Sequence, residues 1–290
     1  MLAALRNDLA RPETRLAPCF GHYLFGGRSF GCWKREGHGS LDFIEALQHS
    51  CDVYFYQIGI RLGLEQLEET ARDFGLGART GIDLPQEKAG LVPSPAWYDE
   101  RWGVGRRRKG LMLNLAIGQG ELLVTPLQLA MMFGEVANGG KVIRPHVVRE
   151  VRGVPGFSPA RPPRDRISVR PQDWKAVHEG LELVVSAGTG TAARVPGIAV
   201  AGKTGTAQNP HGKDHALFAC YAPADHPEIS LAFVVENSGH GGSIAALRAG
   251  DVLARVLLPD SVYALRHPER AKREAVTAAK ADSMEAIYGD

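Results

Sequence analysis

The stretch AGKTGTAQ, residues 201–208, places a lysine, two threonine hydroxyls and a glycine at four consecutive positions: Lys203, Thr204, Gly205 and Thr206. It lies between two apolar runs, GIAVAG and HALFACYAPA, and short apolar runs bounded by Gly or Pro are typical of buried strands. The sequence therefore predicts a cation, two hydroxyls and an approachable backbone on or beside a strand. Lys-Thr-Gly by itself recurs by chance, and an exposed lysine at a strand edge explains it equally well.

A second group with chemical potential is Ser50-Cys51-Asp52, in a helical region that continues as DVYFYQ. A serine hydroxyl becomes a good nucleophile only when a neighbouring base takes its proton. No lysine lies at the right helical spacing from Ser50, so we do not expect Ser50 to be a nucleophile. A third motif is the turn Gly118-Gln119-Gly120, which precedes the capped helix TPLQLA.

The elements that must position these groups follow from periodicity and capping signals. We predict helices over residues 41–63, 64–77, 124–140, 171–188 and 243–258, with Ser40 or Asp42 capping the first and Thr125 and Pro126 opening the third. Residues 77–110 read as a long irregular connection, 141–153 as a strand and 154–166 as a Pro-rich loop. Three strands follow in a row over 198–208, 216–224 and 228–237.

Helices followed by three sequential strands and a closing helix predict an α/β (α+β) fold with an antiparallel sheet flanked by helices. We expect one domain over residues 1–258, with an irregular lobe rich in cysteine at residues 17–52, and a charged tail over 259–290. The chain has 290 residues and a net charge of +2, so its charge gives no argument for nucleic acid. No apolar run reaches membrane-spanning length. MLAAL looks like the end of a helix, so we expect sequence upstream of Met1.

Taken in order, Ser-x-Asp, GQG-x4-TPLQLA and AGKTGTAQ resemble the penicillin-recognising serine acyl transferases. HGSLDFIEALQHSCDVYFYQ and VVENSGHGG look like the class B penicillin-binding proteins of the elongation type, commonly called penicillin-binding protein 2. The resemblance runs from Met1 to about Leu258. It implies the fold shared by penicillin-binding proteins and serine β-lactamases, with an incomplete transpeptidase domain in this chain.

The resemblance also implies three catalytic motifs, of which the first, Ser-x-x-Lys, occurs nowhere in the chain. We expect it just upstream of Met1, and we expect the chain alone to be inactive and to bind no β-lactam covalently. In the family pattern Ser50 relays protons, Asp52 orients its neighbours and Lys203 supplies positive charge. Thr204 and Thr206 would bind the substrate carboxylate, Gly205 would let the acyl group approach the strand, and the Thr206 N–H would donate to the oxyanion.

The implied reaction is DD-transpeptidation of peptidoglycan stem peptides through a serine acyl-enzyme, which β-lactams trap. Implied partners are a membrane glycosyltransferase and scaffold proteins of the elongation machinery, on the periplasmic side of the bacterial inner membrane. Two alternatives remain open. A DD-carboxypeptidase or β-lactamase-like hydrolase would share the fold, and a non-catalytic binding or scaffold domain would have kept the cleft and lost the serine.

Four potential metal ligands form the pattern C-x12-C-x5-H-x12-C: Cys19, Cys32, His38 and Cys51. Structural zinc takes four N or S ligands, but this spacing is not that of a common zinc finger. Some relatives of the elongation type resemble this lobe and hold a metal beside the second motif, and unpaired thiols are a hazard in an oxidising periplasm. We therefore predict a possible structural zinc. The alternatives are free buried thiols, or one disulfide with a cysteine left over. Cys220 reads as a buried core thiol.

Overall fold

The computed structural model describes residues 1–106, 110–151, 167–239, 242, 244–266 and 268–269. The helices are α1 (Leu2–Arg6), α2 (Phe43–Gln48), α3 (Asp52–Asp73), α4 (Pro95–Trp102), α5 (Leu111–Ala116), α6 (Pro126–Ala137), α7 (Pro171–Ala187), α8 (Ala245–Leu257) and α9 (Asp260–Arg266). The strands are β1 (His22–Phe25), β2 (Arg28–Gly31), β3 (Ala201–Ala207), β4 (His215–Ala222) and β5 (Ile229–Val235). In the part of the chain that is described, no helix is long and apolar enough to cross a membrane.

The main sheet is antiparallel, with strand order β3-β4-β5, and it fixes where the lysine motif lies. Helices α6 and α7 pack on one face and α8 packs on the other. Along β4, Phe218 and Cys220 belong to the core on the α8 side, while Ala219 and Tyr221 belong to the core shared with α6 and α7. Alternation of side chains with both faces covered explains why this strand is apolar after His215. The predicted antiparallel sheet flanked by helices is confirmed.

Local signals set the helix starts as the sequence predicts. Thr125 accepts a hydrogen bond from the Gln128 N–H in a capping box at the start of α6, with Pro126 at its first position. Asp42 caps α2 in the same way, paired with Glu45. Pro171 opens α7.

The predicted helix over 41–63 is wrong as a single element, because α2 ends at Gln48 and α3 begins at Asp52. The next predicted boundary is also shifted, since α3 runs past Gly63 to Asp73 across a kink where Gly63 has φ 78° and ψ 171°. The predicted irregular connection over 77–110 contains α4, which Ser94 caps through the Trp97 N–H. Apolar spacing alone carries no signal for the break between α2 and α3.

The predicted strand over 141–153 is wrong for residues 141–151, where the structure has no strand. The N–H groups of Val147 and Val148 donate to the carboxylate of Asp83, at 2.7 and 2.9 Å, instead of to a neighbouring strand. The Pro-rich loop predicted over 154–166 lies outside the described residues. So do residues 267 and 270–290 of the predicted tail, whose first part forms α9.

The cysteine lobe, residues 17–52, is built on the hairpin of β1 and β2. Gly26 and Gly27 form its turn with φ values of 57° and 75°, and such two-residue turns favour glycine. The backbone of Cys19 pairs with that of Gly39, and the Cys32 N–H donates to the Gly21 carbonyl. These contacts fold both ends of the hairpin back toward each other.

Candidate active site

Ser50 lies in the short connection between α2 and α3, which we call the Ser50 loop (residues 49–51). Its N–H donates to the Leu47 carbonyl at 3.2 Å, and the Cys51 N–H donates to the Ala46 carbonyl at 3.0 Å. Ser50 has φ 52°, in the left-handed region that residues other than glycine seldom adopt. This turn directs the serine side chain toward β3 and leaves Asp52 at the start of α3.

Lys203 on β3 reaches the Ser50 loop across the interior of the domain. Its Nζ lies 2.5 Å from Ser50 Oγ and 2.9 Å from the Thr204 carbonyl oxygen. The two motifs are 153 positions apart in the chain. The structure thus brings together the predicted residues Ser50 and Lys203, with Thr204, Gly205 and Thr206 following on the same strand.

Thr189 is a site residue that the sequence analysis missed. Its hydroxyl lies 3.0 Å from Ser50 Oγ and 2.9 Å from Thr204 Oγ1, so one hydroxyl joins the second motif to the third. It follows α7 between Gly188 and Gly190, where a Cβ at Gly188 would lie 2.9 Å from Val184 Cα. The only sequence signal was a Gly-Thr-Gly turn, which says nothing about its partners.

Gln119, in the GQG turn, lies beside the same strand. Its side-chain amide Nε2 donates to the Thr206 carbonyl at 2.8 Å. Behind it, the buried Tyr98 of α4 donates to Glu121 at 2.8 Å, which holds the segment after the turn. For this turn the sequence leaves two interpretations, that Gln119 lines the cleft or that the turn only enters a helix. In the structure the turn forms a wall beside β3, which is an edge strand within the described sheet.

Burial changes the proton affinities of the two charged groups in this cleft. Loss of water lowers the pKa of Lys203 to about 8, and the charge of Asp52 opposes that change only in part. Lys203 as a residue is only partly buried, but its ammonium group is withdrawn from solvent. Burial also raises the pKa of Asp52 to about 6, against the hydrogen bond that it accepts from the Trp33 N–H. A lysine with this pKa can give a proton to Ser50 Oγ or take one from it near neutral pH.

The four predicted metal ligands also meet, on the other side of the Ser50 loop. The ligand atoms of Cys19, Cys32, His38 and Cys51 all lie within 4.8 Å of one another. All four cysteines of the chain, Cys220 included, are described, and all are buried free thiols, so the disulfide alternative is wrong. Cys51 donates to Cys32 and so keeps the pKa of the Cys32 thiol below its usual range.

The geometry of this cluster can be compared with a tetrahedral zinc shell. Zinc bonds of about 2.3 Å to sulfur and 2.0 Å to nitrogen at a tetrahedral angle separate the S and N atoms by about 3.6 Å. His38 Nδ1 lies 3.7 Å from Cys19 Sγ and 3.5 Å from Cys32 Sγ. The residues present therefore fit a Cys3His zinc site.

Comparisons with known proteins place the chain. A family model described as the penicillin binding protein transpeptidase domain matches residues 1–254. The peptidoglycan D,D-transpeptidase MrdA of Acinetobacter baumannii is 39% identical over 247 residues, which are 79% of this chain and 37% of that protein. The chain spans about two-fifths of the length of the first curated relatives it matches.

Solved structures agree with the sequence match. The crystal structure of Pseudomonas aeruginosa PBP2 in complex with WCK 5153 has a TM-score of 0.81 at 34% identity, covering 89% of this chain and 57% of that one. The complex between PBP2 and MreC from Helicobacter pylori has a TM-score of 0.76 at 30% identity, covering 89% and 48%. The lysine of β3, the serine of the loop and these relatives lead to one assignment: the chain belongs to the penicillin-binding protein transpeptidase family, among relatives of the PBP2 type.

Proposed function

We propose that this chain is the larger part of the acyl-transfer domain of a peptidoglycan DD-transpeptidase that works in cell-wall elongation. The observation that carries the proposal is the 2.5 Å hydrogen bond between Lys203 Nζ and Ser50 Oγ. It joins the second and third motifs of the family in one cleft, with Thr189 as a further link.

In the proposed reaction a serine hydroxyl supplied by the upstream Ser-x-x-Lys motif attacks the carbonyl of the penultimate D-Ala of a stem peptide. The C–N bond breaks, and the terminal D-Ala leaves as an amine after it receives a proton. An amine of a neighbouring strand then attacks the acyl-enzyme ester and forms the cross-link as an amide. The attacking amine loses one of its own protons, which restores the serine hydroxyl. The chain alone lacks the attacking hydroxyl, so we expect it to be inactive.

The residues of this chain would manage protons and charge. Ser50 Oγ, which accepts from Lys203, would pass a proton between the upstream lysine and the leaving amine. Lys203 holds a positive field there whenever its ammonium is protonated. Asp52 would orient the loop by accepting the Trp33 N–H at 2.9 Å. A base or acid placed in this way contributes roughly 10²–10⁴-fold to a rate.

The strand would bind the substrate. The hydroxyls of Thr204 and Thr206 would hold the terminal carboxylate, and Gly205 would let the acyl group approach the backbone. The Thr206 N–H would donate to the oxyanion, where one such donor contributes roughly 3–4 kcal/mol in the transition state. The Gln119 contact with the Thr206 carbonyl supports a substrate site on this strand, because it fixes the backbone there.

Among the alternatives, a hydrolase of the same fold would need an upstream serine and a water path to the ester. A non-catalytic domain would not need the Lys203–Ser50 contact, which supports catalysis in the complete protein. Relatives named peptidoglycan D,D-transpeptidase MrdA and the solved complex of PBP2 with MreC support a transpeptidase that works in a protein assembly. The partners that we propose are scaffold proteins and a membrane glycosyltransferase of the elongation machinery. We accordingly propose a place on the periplasmic side of the inner membrane, with peptidoglycan and β-lactams as ligands.

The test is the intact mass after incubation with a labelled penicillin. The chain of 290 residues is compared with a longer chain that includes the upstream coding sequence through the expected Ser-x-x-Lys. We expect an adduct on the longer chain only. If both are folded and neither is labelled, the acyl-transfer proposal is wrong. If the longer chain is labelled, product analysis with an amine acceptor distinguishes cross-linking from hydrolysis.

We also propose that Cys19, Cys32, His38 and Cys51 hold a structural zinc. The separations of 3.7 and 3.5 Å between His38 Nδ1 and the sulfurs of Cys19 and Cys32 support it, because they are close to the separation of about 3.6 Å in a tetrahedral shell. A bound zinc would supply a closed tetrahedral shell and no chemistry in acyl transfer. Less than one zinc per chain, after purification without chelator, would contradict this proposal.

A further inference from the structure

The left-handed backbone of Ser50 needs support from its surroundings. A residue other than glycine stays in that conformation only where neighbouring contacts over-determine it. The bonds from the Ser50 and Cys51 N–H groups back to α2 hold one side of the loop. They leave open what holds the loop against the rest of the domain.

Trp33, just beyond β2, makes two hydrogen bonds that bracket Ser50. Its indole Nε1 donates to the His49 carbonyl at 3.0 Å, and its backbone N–H donates to Asp52 Oδ2 at 2.9 Å. The His49 carbonyl is at the C-terminal end of α2, where carbonyls lack helical partners. One residue thus satisfies the carbonyl of the residue that caps α2 and the first side chain of α3.

The ring of Trp33 contributes little to the core. The residue is 59% exposed, and its ring meets the His38 ring edge-on with centroids 5.3 Å apart. The indole is mostly exposed to water, yet its one N–H donor is bonded to a helix end. A role in orienting the adjoining loop explains this better than a role in burying apolar surface. Trp33 also follows Cys32 directly, so its position is set by the cysteine cluster.

We propose that Trp33 is the positioning residue of the Ser50 loop. By holding His49 and Asp52 at fixed distances it keeps Ser50 in its left-handed conformation and its Oγ in reach of Lys203. Trp33 touches neither the reacting atoms nor Lys203 in this role. Its effect on the loop follows from the two hydrogen bonds of Trp33. Its effect on the reaction rests on the proposed function as well.

The direct test is hydrogen exchange at the amides of Ser50 and Cys51 in Trp33→Phe. This variant keeps an aromatic ring and the backbone bond to Asp52, and it loses the indole donor together with part of the ring surface. Loss of one hydrogen bond should speed exchange of these amides about five- to tenfold. The β4 amides of Phe218 and Cys220 should not change. The matched control is Phe20→Leu, since Phe20 lies in the same lobe and is 70% exposed but has no donor.

A second readout uses the longer chain with its upstream motif. Trp33→Phe should lower the rate constant of acylation by a labelled penicillin about tenfold, with the dissociation constant of the non-covalent complex within twofold. A loss of binding without a loss of rate would overturn the positioning role. So would unchanged exchange in the Ser50 loop, or exchange that rises equally in β4. If the longer wild-type chain is not acylated, the proposed function fails, and the exchange experiment still decides the role of Trp33.

Discussion

The three-stranded sheet and the cysteine lobe supply opposite sides of one cleft, and different interactions hold them. β3 is paired along its whole length with β4, and helices cover both faces of the sheet. The lobe has a hairpin of two four-residue strands and bridging backbone contacts around its thiols, and it packs on α3 through Tyr56, which meets the rings of Tyr23 and Phe30. Isolated two-stranded hairpins are marginally stable in water.

The difference teaches that the two halves of the site depend on separate sources of stability. Lys203 is held in place by the backbone hydrogen bonds between β3 and β4. Ser50 is held in a loop whose position depends on the neighbouring cysteine cluster through Trp33. The lobe is therefore the half whose order we expect to depend on the proposed zinc. The sheet should keep its structure without it.

The largest expected effect comes from Cys32→Ala, which removes one proposed ligand. Structural zinc contributes on the order of 10 kcal/mol in small zinc peptides. We expect zinc to fall from one per chain to none, and amides of residues 19–39 to exchange at least a hundredfold faster while β4 stays protected. Zinc content and hydrogen exchange measure both.

The matched control is Cys220→Ala, which removes another buried thiol, from β4. It should lower the free energy of unfolding by about 1–2 kcal/mol through a small cavity and leave one zinc bound. Retention of zinc by Cys32→Ala, or a lobe that keeps its protection without zinc, would remove the contrast between the two regions.

A second comparison uses one glycine from each region. A Cβ at Gly202 in β3 would lie 2.6 Å from Phe218 Cζ and 2.8 Å from Cys220 Cβ, inside a packed core. Gly202→Ala should therefore lower the free energy of unfolding by about 3 kcal/mol. Gly26→Ala meets no atom within 4 Å and has only its φ of 57° to overcome, so about 1 kcal/mol is expected. Urea unfolding of both variants gives the comparison, and equal losses would contradict it.

The third prediction concerns pH and Lys203. Its folded pKa, about 8, is below the ordinary value of 10.5, so between these values the unfolded chain binds more protons and stability rises with pH. Lys203→Met lacks this contribution. The difference in unfolding free energy between the wild type and the variant should change by about 1–3 kcal/mol from pH 8 to pH 10.5, because the residue is only partly buried. A difference that stays flat across that range would mean that the amine is hydrated.

The sequence predicted the parts of this fold that local signals specify. The apolar runs of β3, β4 and β5 and the cap of α6 by Thr125 and Pro126 are encoded within a few residues each. The break at Ser50 could not be predicted, because the apolar spacing of residues 41–63 continues through it. The segment near Val147 has the composition of a strand, but its N–H groups donate to the Asp83 carboxylate instead of to a neighbouring strand.

The candidate site shows the same limit. The order of the motifs predicted Ser50 and Lys203, because both match positions in the pattern of the family. Thr189 and Trp33 were missed, since their roles rest on hydrogen bonds to partners between 15 and 139 positions away. A threonine between glycines and a tryptophan beside a cysteine have no periodicity that would reveal such partners.

The smallest expected effect is that of Thr189→Val, which removes the hydroxyl that joins Ser50 to Thr204. Two side-chain hydrogen bonds are lost, so the free energy of unfolding should fall by about 1–2 kcal/mol. Thr191→Val, two residues away at an exposed position, should change it by less than about 0.5 kcal/mol. Urea unfolding measures both, and equal effects would mean that the Thr189 hydroxyl does not hold the cleft together.

Combining Thr189→Val with Trp33→Phe tests whether the two regions hold the same loop. Trp33 acts on the Ser50 loop from the lobe and Thr189 acts on it from the sheet side. If each keeps Ser50 in place, the first loss already frees the loop and the second costs less, so the double variant should exchange more slowly at Ser50 than the product of the single effects. Independent supports would give simple multiplication instead. That result would mean that the lobe and the sheet each hold the serine without coupling to the other, whereas a single variant with no effect at Ser50 would assign the loop to one region alone.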